Sequence, residues 1–396
     1  MNNYIEFFPA SNGDSILIKF KDYFILVDGG YVNTYRKFIK PKLLEINSDG
    51  KSLNHVVVTH IDKDHISGII KLIKENREAP FIKIENIWHN SFKHIKDFNS
   101  QLNIEGKSII NFKTGYILSN EEQISEQDIS AIQGSTLASG LYKSDLNWNT
   151  EFDDKAISIE NNSSVQLTEG VNLKLLSPSN QKLQELSLYW KSELFQAGYT
   201  TNENIETFSE EAFETILANQ KETKVFKSKD VSLDVLDIEN LSNSMFYEDK
   251  APVNGSSIAF VLEKKDMKVL LLGDSHPTQI IESLRQHYKE ENFPIEFDVI
   301  KISHHGSQKN TSNELLEIIN SKKYVVSTNG KGHNHPDKET IARIIAKETE
   351  YTKELYFTYT LEVIKEFKNE ELQEKYNYKI IEGDGNSSII INLMNE

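Results

Sequence analysis

A seven-residue segment rich in metal-binding side chains constrains this chain more than any other part of its sequence. The segment covers residues 59–65, with the sequence THIDKDH, and it follows an apolar run at residues 56–58 that is typical of a buried strand. Residues 66–73 have the apolar spacing of an amphipathic helix. Two histidines and two aspartates therefore lie on a strand-to-helix turn at the carboxyl end of a strand, where open α/β folds place their binding sites.

The four polar side chains of this turn are of types that bind transition metals. His60, Asp62 and Asp64 alternate along the turn and His65 follows, so we expect several of them to converge on one ion. Imidazole nitrogens and carboxylate oxygens suit zinc, manganese or iron better than calcium or copper. An acidic loop is more often a solvated turn. Two histidines and two aspartates rarely meet at one strand end by chance, however, so a metal site is the favoured interpretation.

The absence of cysteine from the 396 residues narrows the chemistry further. It excludes disulfides, zinc fingers, iron–sulfur clusters and cysteine nucleophiles, so any metal must be held by His, Asp, Glu or backbone atoms. A hydrophobic content of 38% is enough for a full core in one large domain or two ordinary ones.

Charge and targeting signals set expectations for partners and location. A net charge of -16 disfavours generic nucleic-acid binding, although bound metal ions are large local charges that still attract a phosphodiester. The sequence starts without the pattern of a secretory signal, and no apolar run has the length of a membrane span. The expectation is a soluble cytoplasmic protein without a membrane partner.

Strands that end in an acid or a histidine recur near the N-terminus. Residues 4–8, 15–20 and 24–27 are strand-like and closely spaced, as in hairpins, and the third ends in Asp28 and two glycines. Asp28 is equally consistent with a turn or helix-capping residue and with a partner that orients a metal-binding histidine.

The second half of the chain shows the same pattern. Residues 257–262 and 268–272 resemble a hairpin whose second strand leads to Asp274, and a carboxylate buried there is costly unless it is paired or metal-bound. Two further predicted strands, residues 297–302 and 324–327, lead into histidine-containing loops. The first loop carries His304, His305 and Ser307, and the second carries Lys331, His333 and His335. Adjacent histidines point in different directions, so we expect one of His304 and His305 to bind metal and the other to face substrate or a supporting partner.

Composition divides the chain into a predicted core and two additions. Residues 1–90 and 251–348 alternate strands and helices and form the predicted core. Residues 91–250 are predicted to be an acidic, largely helical insertion that contributes a core strand near residues 171–176. Residues 349–396 form a C-terminal extension with predicted strands.

In combination, these motifs resemble those of the metallo-β-lactamase-fold hydrolases. The resemblance is closest to the branch that contains the C-terminal domain of the DNA-uptake competence protein ComEC, and it covers residues 1–90 and about 250–345. The matching motifs are Gly13-Asp14-Ser15, Val27-Asp28-Gly29-Gly30, the ligand cluster from His60 to His65 with Asp62 in place of a second histidine, the segment from Asn254 to Ser257, Leu272-Gly273-Asp274, His304-His305-Gly306-Ser307 and Gly332-His333-Asn334-His335-Pro336.

The resemblance implies an α/β fold and a two-metal site. The implied fold is a four-layer αβ/βα sandwich with the site at one edge between its sheets, here with a large, partly helical insertion and a C-terminal extension. The implied cofactors are two divalent metal ions, zinc or manganese, that share a bridging carboxylate, for which Asp274 is the candidate. The wider family has a further ligand histidine after a middle strand, but residues 176–178 are Leu-Ser-Pro. A site richer in oxygen shifts the preference towards manganese or a mixed site.

The motif positions also imply roles for single residues. We expect His60 and Asp62 to hold one ion, and Asp64, His65 and one of the adjacent histidines to hold the other. His305 is preferred because the family often has its ligand histidine before a glycine. Asp64 is also expected to accept a proton from the attacking water.

The remaining expected roles concern the substrate. His333 or His335 would stabilise or protonate the leaving group. Ser307 and Lys331 are candidates for holding phosphate oxygens, and Asn254 and His304 for contacting the substrate.

These expectations favour a metal-dependent phosphodiesterase or nuclease. A hydroxide activated between two ions would attack a phosphodiester in DNA, RNA or a cyclic nucleotide. One alternative is hydrolysis of a lactone, thioester or other C–O or C–N bond. Another is a regulatory module that binds a partner protein through its insertion or C-terminal extension, within an assembly such as a bacterial anti-phage defence system.

Overall fold

The computed structural model describes residues 3–95, 137–144, 146–196, 236–265, 267–331 and 334–393. In this part of the chain, strands form a seven-stranded sheet, an eight-stranded sheet and a two-stranded sheet. The strands are β1 (Tyr4–Phe7), β2 (Ile16–Phe20), β3 (Tyr23–Val27), β4 (Leu53–Val57), β5 (Ile84–Trp88), β6 (Asn147–Trp148), β7 (Ser164–Thr168), β8 (Val171–Ser177), β9 (Ala259–Lys264), β10 (Met267–Leu271), β11 (Ile295–Phe297), β12 (Val299–Lys301), β13 (Ile319–Ser321), β14 (Lys323–Val326), β15 (Lys353–Phe357), β16 (Tyr378–Glu382) and β17 (Ile389–Asn392).

Helices connect most of these strands. The first, α1 (Val32–Thr34), continues through a π-helical turn, Tyr35–Ile39, into α2 (Lys40–Ser48). The other α-helices are α3 (Lys63–Glu78), α4 (Phe92–Ile95), α5 (Leu137–Tyr142), α6 (Asn180–Gln196), α7 (Ile238–Ser242), α8 (Pro252–Gly255), α9 (Pro277–His287), α10 (Asn313–Ile318), α11 (Lys338–Ala346) and α12 (Glu370–Lys375). Short 3₁₀ turns cover Thr150–Phe152, Glu290–Asn292, Ser303–Gly306 and Glu362–Lys368. Across the described ranges, no helix has both the length and the apolar character needed to cross a membrane.

Each large sheet has an antiparallel and a parallel part. The seven-stranded sheet has the order β17-β1-β2-β3-β4-β5-β6, antiparallel as far as β3 and parallel from there to β6. The eight-stranded sheet has the order β16-β15-β14-β12-β10-β9-β8-β7, parallel from β16 to β10 and antiparallel beyond.

Alternating apolar residues build three core layers around the two sheets. Val57 and Val269 belong to the cluster between the sheets. Their neighbours Val56 and Leu270 point to the opposite faces, where the first packs with α2 and α3 and the second with α9, α10 and α11. The result is a four-layer αβ/βα sandwich, which confirms the predicted fold class.

The carboxyl ends of the parallel strands from both sheets meet at one edge of the sandwich. There, the backbone N–H of Ile258, at the start of β9, donates to Thr59 O, just after β4, over 2.8 Å. Within the second sheet, His304 N–H donates to Gly273 O over 3.0 Å, which joins the loops after β12 and β10. Residues that follow β3, β4, β10 and β12 are therefore brought together.

Most strands predicted around this edge are confirmed, with one correction. The hairpin predicted for residues 257–262 and 268–272 is β9 and β10, and the strand predicted near residues 171–176 is β8. The single strand predicted at residues 297–302 is two strands, because Asp298 accepts the backbone N–H of Lys268 and the chain moves there from the small sheet to the large one.

The region predicted as a C-terminal extension contributes strands to both large sheets. β15 and β16 lie at one end of the eight-stranded sheet, and β17 pairs with β1, with Ile391 opposite Ile5. The boundaries predicted for the core, the insertion and the extension stay predictions.

A cluster of charged groups ties the π-helical turn to α3. Glu75 accepts hydrogen bonds from Tyr35 over 2.8 Å and from Lys40 over 2.7 Å, and it pairs with Lys71 at 3.0 Å. Burial raises the pKa of Glu75, but the hydrogen bonds from Lys40, Tyr35 and Lys71 outweigh it and bring the pKa to about 2. The ionised carboxylate therefore stabilises the folded state.

Replacing Glu75 with Gln is expected to lower the free energy of unfolding by roughly 1–2 kcal/mol at pH 7, because two charge-assisted contacts are lost. Since the folded-state pKa lies below the ordinary value, this stabilisation is present above about pH 4.5 and is lost as the pH falls towards 2. Urea unfolding of both proteins at pH 7 and pH 3.5 measures the difference. Glu78→Gln, an exposed site on the same helix, is the control, and a loss for Glu75→Gln that does not shrink at pH 3.5 would contradict the assignment.

Candidate metal centre

Close backbone packing fixes the start of α3 against the turn that follows β3. A Cβ atom on Gly68 would lie 2.0 Å from Gly29 O, so only glycine fits at this contact. Gly29 N–H donates to His65 O over 2.8 Å, and Gly68 N–H donates to Gly30 O over 2.9 Å. The first turn of α3, with His65, is thereby held beside Asp28.

Asp28 holds His65 in one orientation. Its Oδ2 lies 2.8 Å from His65 Nδ1 and accepts the Thr59 hydroxyl over 2.6 Å, and its Oδ1 accepts Thr59 N–H over 2.8 Å. Asp28 itself has a φ of 56°, a left-handed conformation that Asp and Asn adopt more readily than other residues with side chains. Because His65 Nδ1 faces a carboxylate, its Nε2 is left to face the interior of the site.

The loop after β12 presents two histidines from an unusual backbone conformation. His304 and His305 have φ values of 45° and 54°, which are strained for side chains of this kind. His305 Nδ1 lies 2.9 Å from Ser327 O, and His304 Nδ1 lies 3.0 Å from Asn310 Oδ1. Both Nδ1 atoms are engaged, so both Nε2 atoms face the same interior as His65 Nε2.

The carboxylate of Asp274, after β10, lies at the centre of these imidazoles. Its Oδ2 is 3.8 Å from Nε2 of His60, 3.7 Å from that of His65, 3.8 Å from that of His304 and 3.6 Å from that of His305. Nε2 of His65 and Nε2 of His305 are 3.3 Å apart. Two ligands of a tetrahedral zinc ion, each about 2.1 Å from the metal, are roughly 3.4 Å apart, so these separations suit shared ions.

Unpartnered polar atoms and excess negative charge show that the donor set fits divalent cations. Within the described residues, His60 Nε2 and Asp274 Oδ1 are buried without a hydrogen-bond partner. One ligand atom from each of four buried residues lies within 4.8 Å of the others, namely Asp14, His65, Asp274 and His305. A buried carboxylate that lacks a partner is costly, and a bound cation removes that cost.

The pKa shifts in the cluster also show that its carboxylates are stabilised by nearby positive charge. Burial raises the pKa of Asp274, but the charges of His305 and His65 hold it well below its usual range. Burial lowers the pKa of His304, whereas the charge of Asp274 and a hydrogen bond to Asp249 raise it to about 9. Protons on His65 and His304 thus offset the carboxylates, and metal binding would release them, whereas burial holds the pKa of His305 well below its usual range.

The two acids of the 59–65 turn lie on different sides of the cluster. Asp62 Oδ2 is 3.5 Å from His60 Nε2, and the side chain is 39% exposed, so it faces the open side. Asp64 Oδ2 is 3.6 Å from His305 Nε2 and accepts the Asn12 amide over 2.8 Å. Burial raises the pKa of Asp64 to about 6.

Three buried or half-buried residues of the site were not identified from the sequence. Asp14 and Lys301 form a buried ion pair, and Asp14 Oδ1 lies 3.8 Å from His305 Nδ1. Asp249 Oδ2 lies 3.6 Å from His304 Nδ1. A lysine inside the apolar run before His304 was the available signal for Lys301, whereas nothing distinguished Asp249 from the other acids of its region.

Two residues predicted to contact substrate also make hydrogen bonds within the protein. Asn254 donates to Asp249 Oδ2 over 2.7 Å, and its Nδ2 lies 3.4 Å from His304 Nδ1. Ser307 is buried, and its Oγ accepts the Lys309 backbone N–H over 3.3 Å.

The last histidine loop lies partly at the site. The His335 ring packs edge-on against that of His304, with centroids 5.1 Å apart, and its Nδ1 lies 3.4 Å from Asp337 Oδ2. The side chain of Lys331 is exposed. His333 lies outside the described residues.

The middle-strand position that carries a ligand histidine in the wider family holds no histidine here. β8 runs parallel to β10, two strands away, and so ends at the same edge. Its last residue, Ser177, is buried. A small polar side chain therefore stands at the end of β8.

Comparison with known proteins finds a superfamily match over part of the chain. The sequence model of the Metallo-beta-lactamase superfamily matches residues 9–127, which include Asp28 and the 59–65 turn. No curated protein is similar enough in sequence to count as a relative. The chain thus shares the metallo-beta-lactamase fold, and its N-terminal part matches the sequence model of that superfamily. The closer likeness to the competence-protein branch stays a prediction.

Solved structures with similar folds share little sequence with this chain. The metallo-beta-lactamase fold protein YhfI from Bacillus subtilis is 10% identical, with 99% of this chain and 100% of that chain covered and a TM-score of 0.40. Igni18, a metallo hydrolase from Ignicoccus hospitalis, is 9% identical, with 99% and 100% covered and a TM-score of 0.36. Zn(2+)-bound PqqB from Methylobacterium extorquens is 7% identical, with 96% and 87% covered and a TM-score of 0.36.

Replacing Asp28 with Asn is expected to weaken zinc binding roughly 10- to 100-fold, because an amide holds the His65 ring less firmly and makes it less basic. Asn tolerates the left-handed backbone, so the fold should persist. Competition with a chelating dye measures the affinity, and circular dichroism checks the fold. Asp22→Asn, at an exposed acid that pairs with Lys51 at 3.0 Å, is the matched control. Equal zinc affinity in Asp28→Asn and the control would rule out the orienting role.

Proposed function

We propose that this chain is a metal-dependent phosphodiesterase or nuclease that binds two divalent ions, zinc or manganese, around Asp274. The observation that supports this most directly is that four imidazole Nε2 atoms lie 3.6–3.8 Å from one carboxylate oxygen. A carboxylate with ligands on several sides suits a bridge between two ions, and paired ions suit in-line displacement at phosphorus.

The ligands divide into two groups by distance. His65, His305 and Asp64 form one group, with separations of 3.3 Å between the two Nε2 atoms and 3.6 Å from His305 Nε2 to Asp64 Oδ2. His60 and Asp62 form the other, at 3.5 Å. Bound ions would lower the pKa of water from about 15.7 to near 7, which makes hydroxide available at neutral pH.

Both adjacent histidines are proposed as ligands, whereas the sequence led us to expect only one. His304 Nε2 faces Asp274 Oδ2 at a distance close to that of His305 Nε2. Asn310 and Asp249 hold the opposite side of the His304 ring, and Ser327 O holds that of His305.

Proton transfer and leaving-group stabilisation are assigned to residues beside the ligands. Asn12 donates to one carboxylate oxygen of Asp64, which fixes the side chain where it can accept a proton from the attacking water. His335, in ring contact with His304, is the candidate for stabilising or protonating the leaving group. The contacts of Asn254 and Ser307 favour positioning roles for both. Binding of phosphate oxygens by Lys331 stays a hypothesis.

Simple assays distinguish the phosphodiesterase function from the other functions proposed from the sequence. Hydrolysis of a lactone or thioester would use the same cluster, so these substrates belong beside bis-p-nitrophenyl phosphate in the first screen. Docking of a partner protein on residues 91–250 or 349–396 is a separate hypothesis, which a pulldown with the full chain tests.

Replacing Asp64 with Asn is expected to lower cleavage of bis-p-nitrophenyl phosphate at least 100-fold, because the amide accepts no proton. The assay uses added manganese or zinc, with thermal melting to confirm that the fold is intact. Asp153→Asn, at an exposed acid, is the control. Substantial activity in Asp64→Asn would refute its role.

Replacing either His304 or His305 with Gln is expected to lower the bound metal from about two equivalents towards one, because each is proposed to supply one Nε2 ligand. Elemental mass spectrometry on the purified variants measures the content. Two full equivalents in His304→Gln would show that His304 is not a ligand.

A further inference from the structure

A polar cleft of about 310 Å³ lies beside the candidate metal centre. Four segments form its walls: the loop between β1 and β2, the first helix with the π-helical turn that follows it, the segment directly after β15, and the loop between β16 and β17. They contribute Ser11, Asn33, Lys37, Tyr359 and Asn386, among others. None of the roles assigned so far uses these residues.

Specific contacts hold the walls together. Ser11 N–H donates to the Tyr359 hydroxyl over 2.8 Å. Gly385 has a φ of 70° and packs so closely on Tyr359 that a Cβ atom there would lie 2.3 Å from the ring. The N-terminal and C-terminal loops therefore meet at a fixed distance.

Two hydrogen bonds connect this cleft to Asp64. Asn12, next to Ser11 in the chain, donates to Asp64 Oδ2 over 2.8 Å. The same Asn12 accepts the Tyr31 hydroxyl over 3.0 Å, and Tyr31 directly precedes α1. Consecutive Cα atoms are about 3.8 Å apart, so a group bound at Ser11 lies close to the proposed reaction centre.

The charge of the cleft is opposite to that of the whole chain. The chain carries a net charge of -16, but the cleft is lined by Lys37 and by amide and hydroxyl groups, and none of the described residues that line it carries a carboxylate. Lys37 is exposed. The nearby Asp384 accepts the backbone N–H groups of Asn386 and Ser387, so its carboxylate is engaged within its own loop.

The helix geometry at the cleft is also unusual. Lys37 and Phe38 both line the cleft, and both lie in the π-helical turn Tyr35–Ile39. Turns of this kind are rare and are frequent at functional sites. The turn is therefore a second observation, independent of the cavity, that indicates binding at this position.

We propose that this cleft binds a second phosphate of the substrate, one that is not hydrolysed, through Lys37 with the amides of Asn33 and Asn386. The inference rests on the proposed phosphodiesterase function and specifies its substrate as one with at least two phosphates. A volume of about 310 Å³ lies at the lower end of the range for ligand sites and suits a group no larger than one nucleotide.

The test measures binding of two thymidine dinucleotides whose methylphosphonate linkage resists hydrolysis, with and without a 5′-phosphate, to the metal-loaded full chain by calorimetry. The wild type is expected to prefer the phosphorylated form about tenfold, as one charge-assisted contact predicts. Lys37→Gln should abolish the preference and reduce the dependence of log affinity on log salt by about 0.7. Arg36→Gln, at the neighbouring exposed cation that does not line the cleft, should keep the preference for the 5′-phosphate and the salt dependence of the wild type.

Cleavage of bis-p-nitrophenyl phosphate by the metal-loaded proteins runs in parallel. If the protein prefers the 5′-phosphorylated dinucleotide through Lys37 but cleaves nothing, phosphate binding in the cleft is supported and the phosphodiesterase function is refuted. Two results would refute phosphate binding in the cleft and leave the phosphodiesterase function standing. One is cleavage without a preference for the 5′-phosphorylated dinucleotide, and the other is a preference that survives in Lys37→Gln.

Discussion

The site depends on one buried carboxylate, that of Asp274. A carboxylate removed from water costs several kcal/mol unless positive charge or donors surround it. Two of its four neighbouring imidazoles come from the first sheet and two from the second, so all four surround the carboxylate only when the sheets are joined at this edge. Assembly of the sandwich and assembly of the metal centre are therefore the same structural event.

A hydrogen-bond partner at Nδ1 of each imidazole leaves its Nε2 available to bind a metal ion. A ring nitrogen held by an oxygen acceptor has a fixed tautomer, and the other nitrogen keeps its lone pair for a metal. The outer partners are Thr59 and Ser257 for His60, Asp28 for His65, Asn310 for His304 and the carbonyl of Ser327 for His305. The ligands are thus oriented before any ion binds, which lowers the entropic cost of binding.

The sequence predicted those residues of the site that lie directly after buried strands. Asp28, Asp274 and the 59–65 turn were found because apolar runs mark strands, and the carboxyl ends of parallel strands meet at one edge. β7 had no counterpart among the predicted strands, since Val165 is its only buried residue and an apolar pattern is lacking.

Contacts between residues far apart in the chain could not be predicted from the sequence. Asp14 and Lys301 pair across 287 positions, and nothing local to either residue indicates the other. Asp249 lies in the region predicted as an acidic insertion, where composition does not separate one engaged acid from many exposed ones. The joint orientation of His304 and His305 depends on two consecutive residues with positive φ, which no periodic pattern anticipates.

Anomalous X-ray diffraction at the zinc edge from crystals grown with zinc tests the central claim most directly. The account predicts two peaks on either side of Asp274, each about 2.0–2.2 Å from an imidazole Nε2 or a carboxylate oxygen. A single peak, or two peaks with Asp274 bound to neither ion, would contradict a bridging carboxylate and with it the two-metal site.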